Sequence, residues 1–253
     1  MMPCRTGALL VAAALLAPAG VHAQDREAAL FDKPLASETV PPGTGAHPIG
    51  EITCTWYRDF MVRETDTDTP GPGAAMRIPV SAAAGRPTCG AAPPAEAIQL
   101  TKGDYSLLGR KGPFLLFAAT DPNGAVPFNV LAAGDGRRLY SDGMDATDGL
   151  RAVTLEHDAL HLRFLRAVNG SCSIVQDGAG CWAKMAREGM IGPALAASPP
   201  PVQVCAAAYR KAGMPATAAD DPSVITYEVD MTLDLSGRQQ VLSRGPVGCE
   251  PMP

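Results

Sequence analysis

The sequence predicts an α+β fold that consists mainly of antiparallel β-sheet in a meander or sandwich-like arrangement. A short two-helix insert precedes a C-terminal β-hairpin, and disulfides stabilise the whole. Apolar and polar residues alternate from Ile225 to Leu235 (ITYEVDMTLDL), which is typical of a strand with one buried and one solvated face. The 26 glycines and 24 prolines favour many short elements joined by turns. Six cysteines follow a predicted export signal, and an even number is typical of a disulfide framework.

The first 23 residues have the features of a cleaved signal peptide. One charge, Arg5, precedes the apolar run Ala8–Ala17, which is too short to span a bilayer. The small residues that signal peptidase accepts follow at Val21-His22-Ala23. We expect cleavage near Ala23 and a periplasmic or secreted protein. No later segment approaches eighteen consecutive apolar residues, so we predict no membrane span.

The rest of the chain divides into a lead-in and one domain. Residues 24–50 are rich in proline and glycine with little periodicity, so we predict a flexible lead-in. Residues 51–253 are expected to form a single α+β domain. Its parts are a β-rich segment at 51–170, a helical insert at 171–220 and a returning hairpin at 221–253. Because two strands alone are marginal in water, the hairpin has to pair with the earlier sheet.

The β-rich segment begins with Ile52–Arg63, which is rich in β-branched and aromatic residues, and Ala75–Val80 is a second short candidate. From Asp104 to Asp142, apolar runs alternate with glycine-containing turn sequences, a pattern typical of a β-meander. The turn sequences are Lys111-Gly112-Pro113, Asp121-Pro122-Asn123-Gly124 and Gly134-Asp135-Gly136.

Two structures fit residues 150–168. Local alternation predicts two strands around a turn at Glu156-His157-Asp158, whereas Val153, His157 and Leu160 also fall on one helical face. We favour the hairpin because no N-cap residue opens a helix here.

The insert is expected to contain two helices. The first covers Trp182–Ile191 and ends at Gly192-Pro193. The second covers Val202–Ala212 and ends at Gly213.

The cysteines of the mature chain are expected to form three disulfides. Six cysteines allow fifteen pairings, and the sequence alone does not choose among them. We favour nearest neighbours, Cys54–Cys89, Cys172–Cys181 and Cys205–Cys249. No CxxC pair is present, which favours disulfides over a zinc site.

Three segments resemble parts of exported proteobacterial proteins of unassigned function. They are CTWYRDFMVRETDTDTPG, GSCSIVQDGAGCW and VITYEV. The resemblance covers most of the mature chain and includes no catalytic motif. It implies export and disulfides and carries no activity with it.

Charge and motifs exclude several classes of function. Removing the signal leaves 20 Lys and Arg against 26 Asp and Glu, a net charge of −6, which does not suit nucleic acid or anionic lipid. The sequence contains no phosphate loop, dinucleotide fingerprint or GxSxG nucleophile elbow. We therefore assign no catalytic residue and expect no cofactor.

Two clusters of side chains are candidate metal sites. His157 and His161 would share one face of a helix, but four residues along a strand separate them by about 13 Å, too far for one ion. Asp142, Asp145 and Asp148 invite a calcium interpretation, but their spacing differs from an EF-hand loop. We favour turn histidines and an ordinary loop.

The polar residues of the Ile225–Leu235 strand include three acids, Glu228, Asp230 and Asp234. They could bind a cation or a basic partner, although such a stripe is more often the solvated face of a sheet.

The functional hypothesis is a non-enzymatic exported binding module whose partner is an envelope protein or a small ligand. The alternative is a secreted hydrolase, metal-assisted through His157, His161 and nearby acids.

Overall fold

A computed structural model of the chain describes residues 30–41, 50–65, 74–80, 85–120, 124–213 and 220–252. These residues form two antiparallel sheets, three short helices and three disulfides. The predicted fold class is therefore confirmed. The predicted signal peptide lies outside the described residues.

The smaller sheet has five strands that pair in the order of the sequence. They are β1 (Ala36–Val40), β2 (Ile52–Trp56), β3 (Phe60–Thr65), β4 (Ala74–Pro79) and β5 (Ile98–Lys102). The predicted lead-in is wrong at β1, which pairs antiparallel with β2. Its largely exposed residues lack alternation, so the pairing with β2 and not the local sequence makes it a strand.

The larger sheet has eight strands. They are β6 (Tyr105–Lys111), β7 (Phe114–Ala119), β8 (Val126–Ala132), β9 (Arg138–Met144), β10 (Leu150–Glu156), β11 (Ala159–Asn169), β12 (Ser223–Leu233) and β13 (Gln239–Pro251). Seven of them follow the order β13-β12-β11-β9-β8-β7-β6, and β10 also pairs with β11. The C-terminal hairpin is therefore part of the large sheet. This agrees with the expectation that it pairs with other strands, because an isolated hairpin is only marginally stable in water.

Residues 150–168 form the hairpin that was favoured, so the helical alternative is wrong. His157 and Asp158 have φ angles of 49° and 63°, as a two-residue turn with two left-handed positions requires. Leu155 lies opposite Leu160 across the hairpin. Pairing of β11 with β10 on one side and β12 on the other fixes the extended conformation.

Strand β7 is buried on both faces and joins two cores. Phe114 and Leu116 pack in the large cluster beneath β11, β12 and the helices. Leu115 and Phe117 point the other way, into a cluster with Phe60 of the small sheet. A strand between two apolar layers needs no polar face, which explains its continuous apolar sequence.

Polar contacts also join the sheets. The Leu107 N–H donates to Glu64 Oε1 at 2.7 Å, and burial raises the pKa of Glu64. Arg110 forms a 2.7 Å ion pair with Asp59. The small sheet is thereby fixed against β6.

The described part of the insert contains three helices, and two were predicted. They are α1 (Gly178–Arg187), α2 (Pro193–Ala196) and α3 (Val202–Lys211). Helix α1 begins four residues before the predicted start because the Asp177 side chain accepts from the Gly180 N–H and caps it. Pro193, expected to end a helix, instead opens α2, since proline suits a first helical position. Within the described ranges, no helix has the length and apolarity to cross a bilayer.

All six cysteines of the described chain are paired, and the pairs are nearest neighbours in sequence. They are Cys54–Cys89, Cys172–Cys181 and Cys205–Cys249. The last bridge ties α3 to β13, with Cα atoms 4.8 Å apart. It therefore fixes the insert to the outer strand of the large sheet.

Strand β12 begins and ends two residues earlier than the predicted Ile225–Leu235. Asp234 ends it, because its carboxylate accepts from the backbone N–H groups of Ser236 and Arg238 at 2.8 and 3.0 Å. A hydrogen bond from the Ser236 hydroxyl, together with those from Arg238, lowers the pKa of Asp234 to about 2. Leu235 therefore belongs to the turn and is 40% exposed.

The alternation of β12 otherwise holds. Ile225, Tyr227, Val229, Met231 and Leu233 are all buried. Thr226 was expected on the solvated face and is also buried, since Gly248 lies opposite it and leaves room for its hydroxyl.

Candidate functional site

A cavity of about 540 Å³ lies where the small sheet ends against the large one. Strand β5 forms one wall and is the edge strand of the small sheet. Strands β8 and β9 form the opposite wall. The lining residues are Leu100, Thr101, Lys102, Tyr105, Asn129, Leu131 and Arg138.

Two tight turns bring these strands together. Gly103 and Asp104 join β5 to β6, so Tyr105 follows closely after Lys102. The β8–β9 turn rests on β5 at Gly136, whose φ is 72°. A Cβ atom at this position would lie 3.1 Å from the side chains of Ile98 and Leu100. Glycine therefore permits both the turn and the close approach that bounds the cavity.

Two residues of the lining each carry a buried polar atom that has no partner among the described residues. Thr101 and Asn129 are only 8% and 7% exposed. In the described part of the chain, neither Thr101 Oγ1 nor Asn129 Oδ1 makes a hydrogen bond. Leaving such a group unsatisfied costs about 1–3 kcal/mol, so native folds rarely keep one without a reason.

Two cationic side chains also line this cavity. Lys102 and Arg138 are both exposed, and neither forms an ion pair with any described residue. Leu100, Leu131 and the half-buried Tyr105 supply apolar surface between them and the buried polar atoms. The cavity thus combines an inner polar floor, apolar walls and a positive rim, in a chain whose net charge is −5.

The unpaired hydroxyl of Thr101 is expected to lower the stability of the folded protein. Thr101→Val is expected to raise the melting temperature by about 2–4 °C, because removing a buried unpaired hydroxyl saves about 1 kcal/mol. Thermal unfolding followed by circular dichroism measures this shift.

The matched control is Ser223→Ala, which removes a fully buried hydroxyl that is hydrogen-bonded. Ser223 Oγ accepts from the Ile174 N–H at 3.0 Å and lies 3.0 Å from the Tyr209 hydroxyl. The free energy of unfolding of this variant should fall by about 1–3 kcal/mol. A comparable loss in Thr101→Val would mean that the Thr101 hydroxyl is satisfied within the fold.

The two predicted histidines lie away from this cavity. His157 is in the β10–β11 turn, and His161 follows on β11 with its Nε2 atom 3.7 Å from Glu156 Oε2. Among the described residues, no group of three or more His, Cys, Asp or Glu side chains is placed to hold a metal ion.

The three aspartates of the calcium hypothesis have separate roles. Asp142 lies in β9 and forms a 2.7 Å ion pair with Arg166. Asp145 is buried, and its Oδ1 accepts from the N–H groups of Thr147 and Asp148. Asp148 itself is exposed. The loop is therefore closed by its own backbone hydrogen bonds.

Asp142 belongs to a buried network between β9, β11 and β12. Tyr140 donates its hydroxyl to Asp142, and Arg166 donates to Asp142 at 2.7 Å and to the Tyr227 hydroxyl at 2.6 Å. Burial alone would lower the pKa of Arg166, but Asp142, Tyr227 and Tyr140 together raise it. Burial and the Asp142 carboxylate raise the pKa of Tyr140. A permanently charged arginine and a protonated tyrosine suit a structural network.

A second cavity, of about 550 Å³, lies between α3 and the strands β12 and β13. Asp145, Lys211 and Glu250 contribute its charged groups. Burial raises the pKa of Glu250, and the nearby Asp145 and Asp148 raise it further. Because Asp145 is already engaged by backbone donors, this cavity has a weaker claim to a ligand than the first.

The acidic residues of β12, and Asp234 directly after it, lie beside arginines. Glu228 lies 3.6 Å from both Arg151 and Arg163. Asp230 is half-buried and pairs in register with Arg163. Together with the Arg238 contact to Asp234, at 2.8 Å, this gives a solvated sheet face with balanced charge.

The sequence interpretation missed the cavity residues. One signal was present, since Asn129 interrupts the apolar run of β8 at a position that the neighbouring residues bury. A polar residue inside such a run indicates either a buried partner or a ligand. Thr101, Lys102 and Arg138 carry no comparable signal.

Comparison with known proteins finds no matching family model, no similar curated protein and no similar solved structure.

Proposed function

We propose that the protein is an exported, non-enzymatic binding module whose small ligand occupies the cavity beside β5. The single observation that carries the proposal is the pair of buried, unpartnered polar atoms, Thr101 Oγ1 and Asn129 Oδ1, in the lining. A bound ligand offsets their desolvation, which the fold alone leaves uncompensated in its described part.

The composition of the lining supports binding over catalysis. The seven described lining residues include no histidine, cysteine or carboxylate. Histidine is the commonest general base, and the described lining holds no histidine or carboxylate that could activate Thr101, Lys102 or Tyr105 as a nucleophile. The metal-assisted hydrolase that uses His157 and His161 stays a prediction, and the positions of these residues give it no support.

Rigid walls also suit a binding module. The Cys54–Cys89 bridge joins β2 to the segment between β4 and β5, and the two-sided core of β7 holds both sheets together. A preorganised cavity loses little conformational entropy when a ligand binds.

The test is a nuclear magnetic resonance titration of the mature protein with the small-molecule fraction of a periplasmic extract. We expect backbone amide shifts to change at residues 100–102 and 129–131. Asn129→Leu should abolish these changes, because it replaces the polar floor by an apolar side chain of similar size. Thr154→Val, an exposed site on β10, is the control and should respond like the natural protein. Unchanged amide shifts at these residues would reject the proposed function.

A further inference from the structure

The cavity beside β5 also limits the chemistry of its ligand, on the premise that the proposed function is correct. Asn129 and Thr101 line its floor, and a buried oxygen of each, the carbonyl Oδ1 and the hydroxyl Oγ1, has no described partner. An amide oxygen only accepts, whereas a threonine hydroxyl donates and accepts. A ligand hydroxyl can serve both atoms, since it too donates and accepts.

The rim adds a requirement for negative charge. Lys102 and Arg138 lie on opposite walls, on β5 and β9, and no described acid neutralises either. Lysine offers a point charge, and arginine offers a planar fork that matches carboxylate and phosphate oxygens. Two unpaired cations at one cavity mouth favour an anion.

Apolar walls lie between the polar residues of the floor and the cations of the rim. Leu100, Leu131 and Tyr105 give apolar and aromatic surface against which the carbon skeleton of a ligand can pack. A volume of about 540 Å³ is within the usual range for small-molecule sites and exceeds what a simple inorganic anion needs.

We propose that this cavity binds a polyhydroxylated organic anion, a sugar derivative that carries a carboxylate or a phosphate group. Its hydroxyls contact Thr101 and Asn129 on the floor, and its anionic group lies between Lys102 and Arg138 at the rim.

The experiment is calorimetric titration of the mature protein with four probes. Gluconate and glucose 6-phosphate combine hydroxyls with charge and distinguish the two anionic groups. Glucose has the hydroxyls alone, and butyrate has the charge alone. We expect at least one anionic polyol to bind at least about tenfold more tightly than both glucose and butyrate.

Variants locate the two halves of the interaction. Arg138→Met should weaken binding of the preferred anionic polyol by about tenfold or more and leave that of glucose unchanged. Asn129→Leu should weaken every polyol. Arg151→Met, an arginine on β10 outside the cavity, is the matched control and should change nothing.

The other outcomes separate this inference from the proposed function. Equal binding of glucose and gluconate, insensitive to Arg138→Met, would overturn the anionic class and leave the binding module standing. Failure of all four probes, with amide shifts still induced by the extract, would likewise overturn only the ligand class. Failure of the probes and the extract together would reject both.

Discussion

Val229→Asp is expected to prevent accumulation of folded protein or to lower its melting temperature drastically. Val229 is 3% exposed and lies opposite Phe164, on the strand β12 that β11 and β13 flank. A carboxylate there would lie in the apolar cluster that Val229 shares with Phe164, and a buried uncompensated charge costs on the order of 3–5 kcal/mol. That is a large share of the stability of an ordinary domain.

Thr232→Asp is the control on the same strand. Thr232 is half-buried on the opposite face, between His161 of β11 and Gln240 of β13. Its substitution should cost under about 1 kcal/mol, as polar changes outside the core usually do. Yield after export and thermal unfolding give the comparison. Equal tolerance of the two substitutions would contradict the assignment of Val229 to the core.

Arg166→Met is expected to destabilise the protein by about 3–5 kcal/mol in denaturant unfolding. The Asp142 side chain is 7% exposed, and the change removes the cation that pairs with its carboxylate. It also removes the Arg166 hydrogen bond to the Tyr227 hydroxyl. Arg163→Met is the matched control on the same strand. That arginine is half-exposed and lies 3.6 Å from Glu228, so its loss should cost at most about 1 kcal/mol.

A double variant shows whether the network acts as a unit. Adding Asp142→Leu to Arg166→Met removes the stranded charge and should recover part of the lost stability, because apolar replacement of a whole buried pair is often nearly neutral. If the two substitutions instead destabilise additively, the two side chains do not interact in the folded protein.

The sequence by itself determined the features that depend on local geometry. Strand β12 was predictable because side chains of an extended chain alternate with a period of two, and its alternating apolar residues are buried in the core. The β10–β11 turn followed from the same alternation on each side of His157 and Asp158. Cysteines that are neighbours in sequence are also paired in space, although the sequence left the other pairings open.

Only the tertiary structure decided the elements whose partners are distant. Strand β1 has no alternation of its own and exists by pairing with β2. The boundary of β12 depended on how the Asp234 side chain binds the following turn. These choices rest on contacts that no single segment encodes.

The candidate site likewise depends on contacts between segments that are distant in the sequence. Thr101 and Asn129 are separated by 27 further residues and lie on strands of different sheets, and Arg138 comes from a third strand. Each is unremarkable in its own segment, apart from the polar Asn129 within an apolar run. Their shared cavity exists because the small sheet ends at β5 and leaves part of the β8–β9 face uncovered beside it, a consequence of sheet packing that local patterns do not contain.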